Sequence, residues 1–263
     1  MKILNETLMI MPEPVSITPD WPVPAHVKVV STTRTGGFSL SPFDSFNLAL
    51  HTADDESRVA KNRKLLREYF HLPAEPVWLN QVHGAKVISL DDSAADTSVL
   101  IDADASFTTQ PNKVCAVMTA DCLPVFITDI KGSVVAIAHA GWKGLLAGVI
   151  TATLNRLDID HRDILVWLGP AIGPDAFVVG DEVRALFAAK GGEYESAFTA
   201  GSDAGSWYCD IYQLARSELA NLGVGQVYGG DQCTYGDEEK FYSYRRDGEL
   251  TGRQAHCIWM SQP

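Results

Sequence analysis

Three apolar runs follow one another in residues 114–139, which read VCAVMTADCLPVFITDIKGSVVAIAH. The runs are Val114 to Thr119, Pro124 to Asp129 and Val134 to Ala138. Short apolar runs bounded by polar residues and glycine are typical of strands, and their continuous apolar character indicates burial on both faces. This stretch therefore predicts the centre of a buried β-sheet.

Other segments place further strands and helices around this centre. Strands are predicted at Val27 to Ser31, Pro76 to Leu79 and Ile164 to Leu168. Helices are predicted over Glu56 to Tyr69, over an apolar stripe from Gly144 to Leu157, and from Asp210, where Gln213 completes a capping pair, to Gly223.

These elements do not alternate as regular strand–helix–strand units, and the chain has no Gly-rich dinucleotide fingerprint. We therefore predict a layered, mixed α+β fold rather than a doubly wound sheet. The length of 263 residues fits one domain, which we place at residues 1–263. The chain has no linker rich in Pro, Gly or Ser, and its nearest candidate for a weak joint, residues 190–206, is interpreted as a surface excursion within the domain.

Composition excludes several classes of protein. The net charge of -12 repels nucleic-acid backbones and anionic membranes, so neither is expected as a partner. The N-terminus lacks the features of a signal peptide, and no apolar stretch approaches the ~20 residues of a membrane span. The 5 cysteines contain no Cys-x-x-Cys pair, which favours reduced thiols and a cytoplasmic location. No apolar surface stripe demands a partner, and a monomer is expected.

Two histidines and one cysteine lie where predicted strands give way to loops: His83, Cys122 and His139. Two imidazoles and a thiolate form a plausible zinc set, and three protein ligands leave the fourth position open, as catalytic zinc requires. Pro124 is expected to break the backbone and expose the thiol of Cys122. Cys115, in mid-strand without polar neighbours, is instead predicted to be a core residue.

Other interpretations of the same residues stay open. Singly, either histidine could be a hydrogen-bonded structural residue, and Cys122 could be a small buried hydrophobe. Together they could also form a cysteine hydrolase, with Cys122 as nucleophile, His139 or His83 as base and Asp121 as the orienting group. Sequence spacing does not separate these chemistries, because both require a thiolate beside imidazoles.

Residue patterns exclude one metal chemistry, and for a second they require that any deamination use a different arrangement of the same kind of activated water. A multicopper oxidase needs paired His-x-His motifs, whereas the 7 histidines here form none and are too few to hold several copper ions. The zinc nucleobase-deaminase signature, His-x-Glu followed by Pro-Cys-x-x-Cys, is also absent.

Four polar residues are candidate substrate contacts: Arg34, Asn47, Lys143 and Arg245. Lys143 lies where Gly141 to Gly144 is predicted to open a helix, and a helix start favours anions such as phosphate. Arg34 could bind a phosphate or carboxylate, or could be a surface arginine before a hairpin. Asn47 could contact a base or form a turn. The segment around Arg245, rich in aromatic residues and arginine, suits a stacked ring with an anion, or a charged hairpin tip.

Taken together, these segments resemble the YfiH family, also called PgeF or the laccase-domain family. The matching segments run in order from about residue 30 to residue 259, and residues 1–25 form an extension that the resemblance covers poorly. The segments are Ser31 to Gly37, Asn80 to Gly84, Val114 to Val125, His139 to Gly144, Leu168 to Pro174 and Phe241 to Asp247.

The resemblance implies zinc held by His83, Cys122 and His139. It implies phosphorolysis of adenosine, inosine, guanosine or methylthioadenosine, deamination of adenosine, and an α/β/β/α arrangement similar to the cytotoxic necrotizing factor catalytic domain. It also links the family to peptidoglycan editing, the removal of misincorporated serine from a cell-wall precursor. The main hypothesis is a zinc-dependent purine nucleoside phosphorylase in which Asp121 orients a ligand or moves a proton. The alternatives are a Cys122-dependent amide hydrolase and a binding protein with structural zinc.

Overall fold

The computed structural model describes residues 13–92 and 100–262, which form a mixed α+β fold with several sheets. The fold class predicted from sequence is confirmed at this level. The strands are β1 Ser16–Ile17, β2 Val27–Thr32, β3 Leu79–Asn80, β4 Val87–Ser89, β5 Ile101–Asp102, β6 Ala105–Thr108, β7 Cys115–Thr119, β8 Leu123–Asp129, β9 Val135–Ala140, β10 Ile164–Leu168, β11 Val178–Gly180, β12 Phe198–Ala200, β13 Ser206–Cys209, β14 Gln226–Gly229 and β15 Gln254–Met260. The helices are α1 Glu56–Tyr69, α2 Trp142–Ala147, α3 Val149–Leu154, α4 Asp181–Lys190, α5 Ile211–Asn221 and α6 Tyr244–Asp247.

Two larger sheets carry the fold. A six-stranded sheet has the order β14-β10-β8-β9-β6-β4, and a four-stranded sheet has the order β1-β2-β15-β7. The apolar runs of residues 114–139 supply β7 of the smaller sheet and the antiparallel central pair β8 and β9 of the larger one. Every residue of these three strands is buried, as their continuous apolar character predicted.

Three apolar clusters lie on the faces of these sheets. One contains Cys115, Phe126, Ile137 and Ile258, and joins strands of both sheets. A second lies between the six-stranded sheet and α2, α3, α4 and α5. A third packs α1 against the four-stranded sheet through Leu65, Leu66 and Trp259. Cys115 is therefore the core residue that the sequence predicts.

The helix predictions are confirmed at two places and wrong at a third. Helix α1 has the predicted bounds, and Asp210 caps α5 by accepting a hydrogen bond from the Gln213 amide at 3.0 Å. The stripe from Gly144 to Leu157 does not form one helix. Gly148, at φ 80°, ends α2 and begins α3, because it adopts a left-handed conformation that interrupts the helical ladder.

One loop interpretation gains detail and another is corrected. Residues 190–206 are mostly exposed, and within this segment β12 pairs with β13 to form a small antiparallel sheet together with β11. The segment around Arg245 is not a hairpin tip but a short helix, α6, whose N-cap Ser243 accepts a hydrogen bond from the amide of Arg246.

The strand ends near the candidate ligands differ from expectation. Pro124 does not break the backbone. It is the second residue of β8, a strand start that tolerates proline, and it lies opposite His139 in the ladder. Strand β9 continues through His139 to Ala140. The turn that presents Cys122 comes from Asp121, whose φ of 91° lies in the left-handed region.

Part of the predicted N-terminal extension, residues 1–12, lies outside the described residues. Within the described part, Ser16 and Ile17 pair with Thr32 and Ser31, so the extension adds an edge strand to the four-stranded sheet. In the described ranges, the helices are all too short or too polar to span a membrane.

His256 gives the fold a specific sensitivity to acid. It is fully buried in β15, where Ser31 Oγ and Thr119 Oγ1 lie 2.9 and 2.8 Å from its ring nitrogens. Burial, with a smaller contribution from His139, lowers its pKa from 6.5 to about 3. The unfolded chain therefore binds the proton more readily, and the stability gained from the neutral ring is fully present above pH 6.5 and is lost as the pH falls.

We expect this residue to lower the free energy of unfolding by roughly 2–3 kcal/mol between pH 7 and pH 4.5. Urea unfolding of the wild type and of His256→Gln at both pH values measures the effect. The variant should lose less stability on acidification than the wild type. Equal losses in the two proteins would show that His256 does not titrate as its burial requires.

Candidate metal centre and active site

The three predicted ligands converge on one point. One ligand atom from each of His83, Cys122 and His139 lies within 4.8 Å of the others. The Sγ of Cys122 is 3.9 Å from Nε2 of His83, and the two imidazole rings meet edge to face with centroids 4.8 Å apart. The donor set of two nitrogens and one sulfur suits zinc and leaves a tetrahedral position open.

A carboxylate that sequence reasoning missed, Asp104, positions two of these ligands. It is fully buried and accepts a hydrogen bond from Nδ1 of His139 at 2.8 Å. It also accepts the amides of His83 at 2.9 Å and Gly84 at 2.7 Å, which fixes the turn in which His83 has a φ of 58°. Because Nδ1 of His139 donates to Asp104, Nε2 is left free to bind a metal.

The carboxylate of Asp121 is bound within the fold. Its carboxylate accepts hydrogen bonds from Thr234 Oγ1 at 2.7 Å, Ser243 Oγ at 3.1 Å and the amide of Arg245 at 2.7 Å. These bonds hold the left-handed turn before Cys122 in place. Asp121 therefore positions Cys122 through the backbone, and the carboxylate that orients a ligand side chain is Asp104.

The electrostatics of the site favour a thiolate. Burial alone would raise the pKa of Cys122 and lower the pKa of His139. Charge attraction and hydrogen bonds among Cys122, the two imidazoles and Asp104 together outweigh burial, so the pKa of Cys122 falls and that of His139 rises. Burial would likewise raise the pKa of Asp104, but hydrogen bonds from His139 and Gly84 keep it below its ordinary value. A thiolate is both a metal ligand and a nucleophile.

Gly141 leaves the space that the ligands occupy. A Cβ at this position would lie 2.9 Å from Cys122 Sγ and 3.1 Å from His83 Cδ2. The φ of -68° at Gly141 is open to any residue, so the requirement for glycine here comes from space and not from backbone conformation.

We expect Gly141→Ala to displace the thiol or the imidazole and to lower zinc affinity about tenfold or more, as changes that disturb ligand orientation do. Competition with a chromophoric chelator measures the affinity. Gly225→Ala is a matched control, because a Cβ there has no neighbour within 4 Å. Wild-type zinc affinity in Gly141→Ala would contradict the proposed crowding at this site.

A cavity of about 410 Å³ opens onto the three ligands. This volume lies within the range of about 300–1,000 Å³ that is usual for small-molecule sites. Three cationic residues line it, and so do three aromatic ones. The cations are Lys143, Arg245 and Arg253, and the aromatic residues are Trp142, Phe177 and Tyr244. The cavity can therefore take a planar ring together with an anion.

The four predicted substrate contacts do not all reach this cavity. Lys143 and Arg245 line it. Asn47 is fully buried, where its side chain bonds the amides of Ala49 and Arg253 at 3.1 and 2.9 Å, so it is a structural residue. Arg253, which the substrate predictions left out, lines the cavity in its place.

Arg34 also lies elsewhere. It borders a separate cavity of about 350 Å³, where it donates to the carbonyl oxygens of Asp44 at 3.0 Å and Glu238 at 3.1 Å. Its guanidinium also lies over the ring of Tyr242. Because backbone carbonyls and an aromatic ring already contact it, Arg34 holds loops together rather than binding substrate at the metal centre.

Comparison with known proteins places the chain in a family. Residues 28–261 match the profile described as multi-copper polyphenol oxidoreductase laccase. The chain belongs to this laccase-domain family. It is 50% identical over 244 residues to the purine nucleoside phosphorylase YfiH of Escherichia coli K12, covering 93% of this chain and 98% of that protein. The resemblance to the YfiH family is thereby confirmed.

Further proteins are similar to this chain over most of its length. A purine nucleoside phosphorylase of Pseudomonas aeruginosa is 49% identical over 244 residues, with 93% of this chain and 98% of that protein covered. The crystal structure of a Neisseria meningitidis protein of the DUF152 family matches with a TM-score of 0.88 and 43% identity, over 94% of this chain and 99% of that one. A Bacillus licheniformis protein, titled hypothetical protein YfiH, matches with a TM-score of 0.84 and 30% identity, over 89% and 93% of the two chains.

The description of the laccase-domain family names copper, and the candidate metal ligands of the described residues can be compared with it. Within residues 13–92 and 100–262, one group of three potential metal ligands is found, His83, Cys122 and His139. His161 bonds a carbonyl oxygen at 2.7 Å, and His256 is enclosed by two hydroxyl groups. The exclusion of a multicopper centre rests on the histidine count of the sequence.

Proposed function

We propose that this protein is a zinc-dependent purine nucleoside phosphorylase with adenosine deaminase activity. The observation that carries the proposal is the cavity, which combines a three-ligand metal group with cationic and aromatic side chains. Relatives that are named purine nucleoside phosphorylases and share about half of its residues support the same activity. The expected substrates are adenosine, inosine, guanosine and methylthioadenosine, each with phosphate.

Phosphorolysis requires a base site and a phosphate site next to each other. An oxygen of hydrogenphosphate forms a bond to C1′ of the sugar while the bond from C1′ to N9 breaks, and the electron pair of that bond goes to the purine. The proton of hydrogenphosphate ends on the purine, so the products are the free base and the 1-phosphate of the sugar, which for inosine are hypoxanthine and ribose 1-phosphate. Trp142, Phe177 and Tyr244 offer aromatic surface to the base. The cavity cations Lys143, Arg245 and Arg253 offer positive charge to the phosphate.

His83, Cys122 and His139 would hold the zinc. When bound, zinc supplies a Lewis acid with an open coordination position, whose capacity to activate water suits deamination. Asp104 keeps His139 in the tautomer that binds metal, and Asp121 is assigned no proton transfer because its carboxylate already accepts three hydrogen bonds.

We propose the order of the layers in the fold together with this function. The three apolar clusters support an α/β/β/α order of layers in one domain, similar to the cytotoxic necrotizing factor catalytic domain. The cytoplasmic location and the monomeric state stay predictions.

The experiment follows inosine with zinc-loaded protein, with and without phosphate. Hypoxanthine should form with phosphate, together with an equal amount of ribose 1-phosphate. Hypoxanthine that forms equally well without phosphate would indicate hydrolysis, and no hypoxanthine at all would overturn the proposal.

A second candidate is a cysteine hydrolase that edits a cell-wall precursor. One observation favours it: Asp104, His139 and Cys122 form a chain of carboxylate, imidazole and thiolate, which is the arrangement of a cysteine nucleophile with its base and orienting group. This function predicts amide hydrolysis that survives chelation of metal, with covalent trapping of Cys122. Loss of the hydrolysis on chelation would exclude it.

A further inference from the structure

Arg253 is held rigidly at the cavity wall by its own backbone surroundings. Its amide donates to Oδ1 of Asn47 at 2.9 Å. Its Nη1 donates to the carbonyl oxygens of Thr251 and Gly252, both at 2.9 Å. The guanidinium is therefore fixed by one nitrogen, and within the described chain Nε and Nη2 have no hydrogen-bond acceptor. Two donors of the planar fork remain for a ligand.

No carboxylate of the described residues neutralises this cation. Arg253 forms no ion pair there, and neither does Arg245 or Lys143, although the chain as a whole carries a net charge of -12. Asp121, the acidic residue of the cavity lining, already accepts three hydrogen bonds, none of them from a guanidinium. Burial lowers the pKa of Arg253, while Cys122, Tyr244 and Asp121 offset part of this effect. A partly buried guanidinium that forms no ion pair with a carboxylate of the described residues points to an anionic ligand.

The place of Arg253 in the cavity wall and its two available donors favour phosphate as the anion. It lies along the cavity wall with Thr119, Ala120 and Cys122, and its guanidinium is 5.9 Å from the ring centre of Tyr244. Two parallel donors on a planar fork match two oxygens of a phosphate. Arg245 is held in a similar way, since its Nη1 donates to the carbonyl oxygen of Val178 at 2.9 Å. Both arginine side chains are held by hydrogen bonds to backbone carbonyl groups, whereas the side chain of Lys143 forms no hydrogen bond in the described chain.

We infer that Arg253, supported by Arg245, binds the inorganic phosphate that attacks the nucleoside. This inference rests on the proposed phosphorolysis and places the phosphate beside the arginines rather than at the start of α2. Removing the charge of Arg253 is therefore expected to weaken the binding of phosphate more than the binding of nucleoside.

The test compares wild type with Arg253→Gln and Arg253→Lys in the zinc-loaded full chain. Loss of a charge-assisted contact is expected to raise the KM for phosphate about 10- to 100-fold in Arg253→Gln, with the KM for inosine changed less than about threefold. Arg253→Lys should recover part of the loss, because it keeps the charge. Arg162→Gln is the matched control, since Arg162 is exposed and pairs with Asp160 on the surface. A KM for phosphate in Arg253→Gln within twofold of wild type would overturn the inference.

Equilibrium dialysis with radiolabelled phosphate, without nucleoside, keeps this test independent of the reaction. Weaker phosphate retention by Arg253→Gln than by wild type supports the phosphate site even if inosine is not cleaved. Equal retention overturns it. If inosine 5′-monophosphate loses affinity in the variant while inorganic phosphate does not, the site serves a phosphorylated nucleoside, and the inference is wrong. Zinc content and a thermal melt of each variant confirm that loading and folding are intact.

Discussion

Cys122→Ala is expected to lose more than about 100-fold in zinc affinity, a larger effect than the 10–100-fold that follows loss of a group outside the ligand set. The thiolate is the one sulfur ligand of the group, and its removal leaves two imidazoles. The rate of phosphorolysis should fall in proportion to the loss of bound zinc. Zinc content after dialysis, zinc affinity by chelator competition and hypoxanthine release measure the three consequences in one preparation.

The fold should survive this substitution. Cys122 lies in a turn at the cavity, and the apolar clusters of the core do not include it. A thermal melt of metal-free wild type and of Cys122→Ala should therefore agree within a few degrees. Cys233→Ala, which changes another partly exposed cysteine, should keep its zinc. Unfolding of Cys122→Ala would instead indicate structural zinc, and retention of tightly bound zinc would remove Cys122 from the ligand set.

Asp104→Asn is expected to lower zinc affinity about 10- to 100-fold without removing any ligand. The amide keeps the shape of the carboxylate, but it has one acceptor oxygen instead of two for the donors of His83, Gly84 and His139. His139 then loses the partner that fixes its tautomer. Asp104→Ala should in addition destabilise the fold by about 3–5 kcal/mol, because it leaves buried donors without an acceptor.

A matched control separates this effect from the general cost of changing a buried acid. Asp129 is also buried, and its carboxylate accepts hydrogen bonds from the amide and Oγ of Ser133 at 2.6 and 2.9 Å, outside the ligand group. Asp129→Asn should reduce stability and keep zinc affinity. Equal zinc affinities of Asp104→Asn and wild type would show that Asp104 does not position the ligands.

Local patterns predicted much of the fold. Helix α1 and strand β10 have the bounds expected from periodicity and composition, and the cap of α5 is the predicted Asp210. The sequence did not predict the helix boundary at Gly148, because the apolar stripe continues across it. A glycine inside such a stripe does not by itself indicate a positive φ. Strand β15 was missed, although it joins β2 to β7 and closes the four-stranded sheet.

The convergence of the three candidate ligands was predictable from the sequence, and the residues that support them were not. His83, Cys122 and His139 stand in distinctive local settings, and the family resemblance implied the same three. Asp104 lies just before strand β6, and the pairing of β6 with β9 brings its carboxylate beside His139. This pairing is long-range. In the sequence, Asp104 is recognisable only as a polar residue ahead of an apolar strand. Arg253 likewise reaches the cavity from the far end of the chain.

Arg34 and Asn47 show the opposite error. Both residue types suit substrate recognition, and both stand near glycine-rich or polar turns. Their hydrogen-bonding groups are instead used by the fold, with Asn47 bonding Ala49 and Arg253, and Arg34 bonding Asp44 and Glu238. Residue chemistry alone does not distinguish a polar group that binds substrate from one that satisfies buried backbone.

Titration of zinc into metal-free protein, with hypoxanthine release from inosine and phosphate as the readout, tests most directly whether His83, Cys122 and His139 hold a catalytic metal. Zinc-dependent phosphorolysis predicts negligible activity before zinc is added, and a rise that ends at one equivalent of metal per chain. Full phosphorolysis by the metal-free protein would contradict a catalytic metal centre at these three residues.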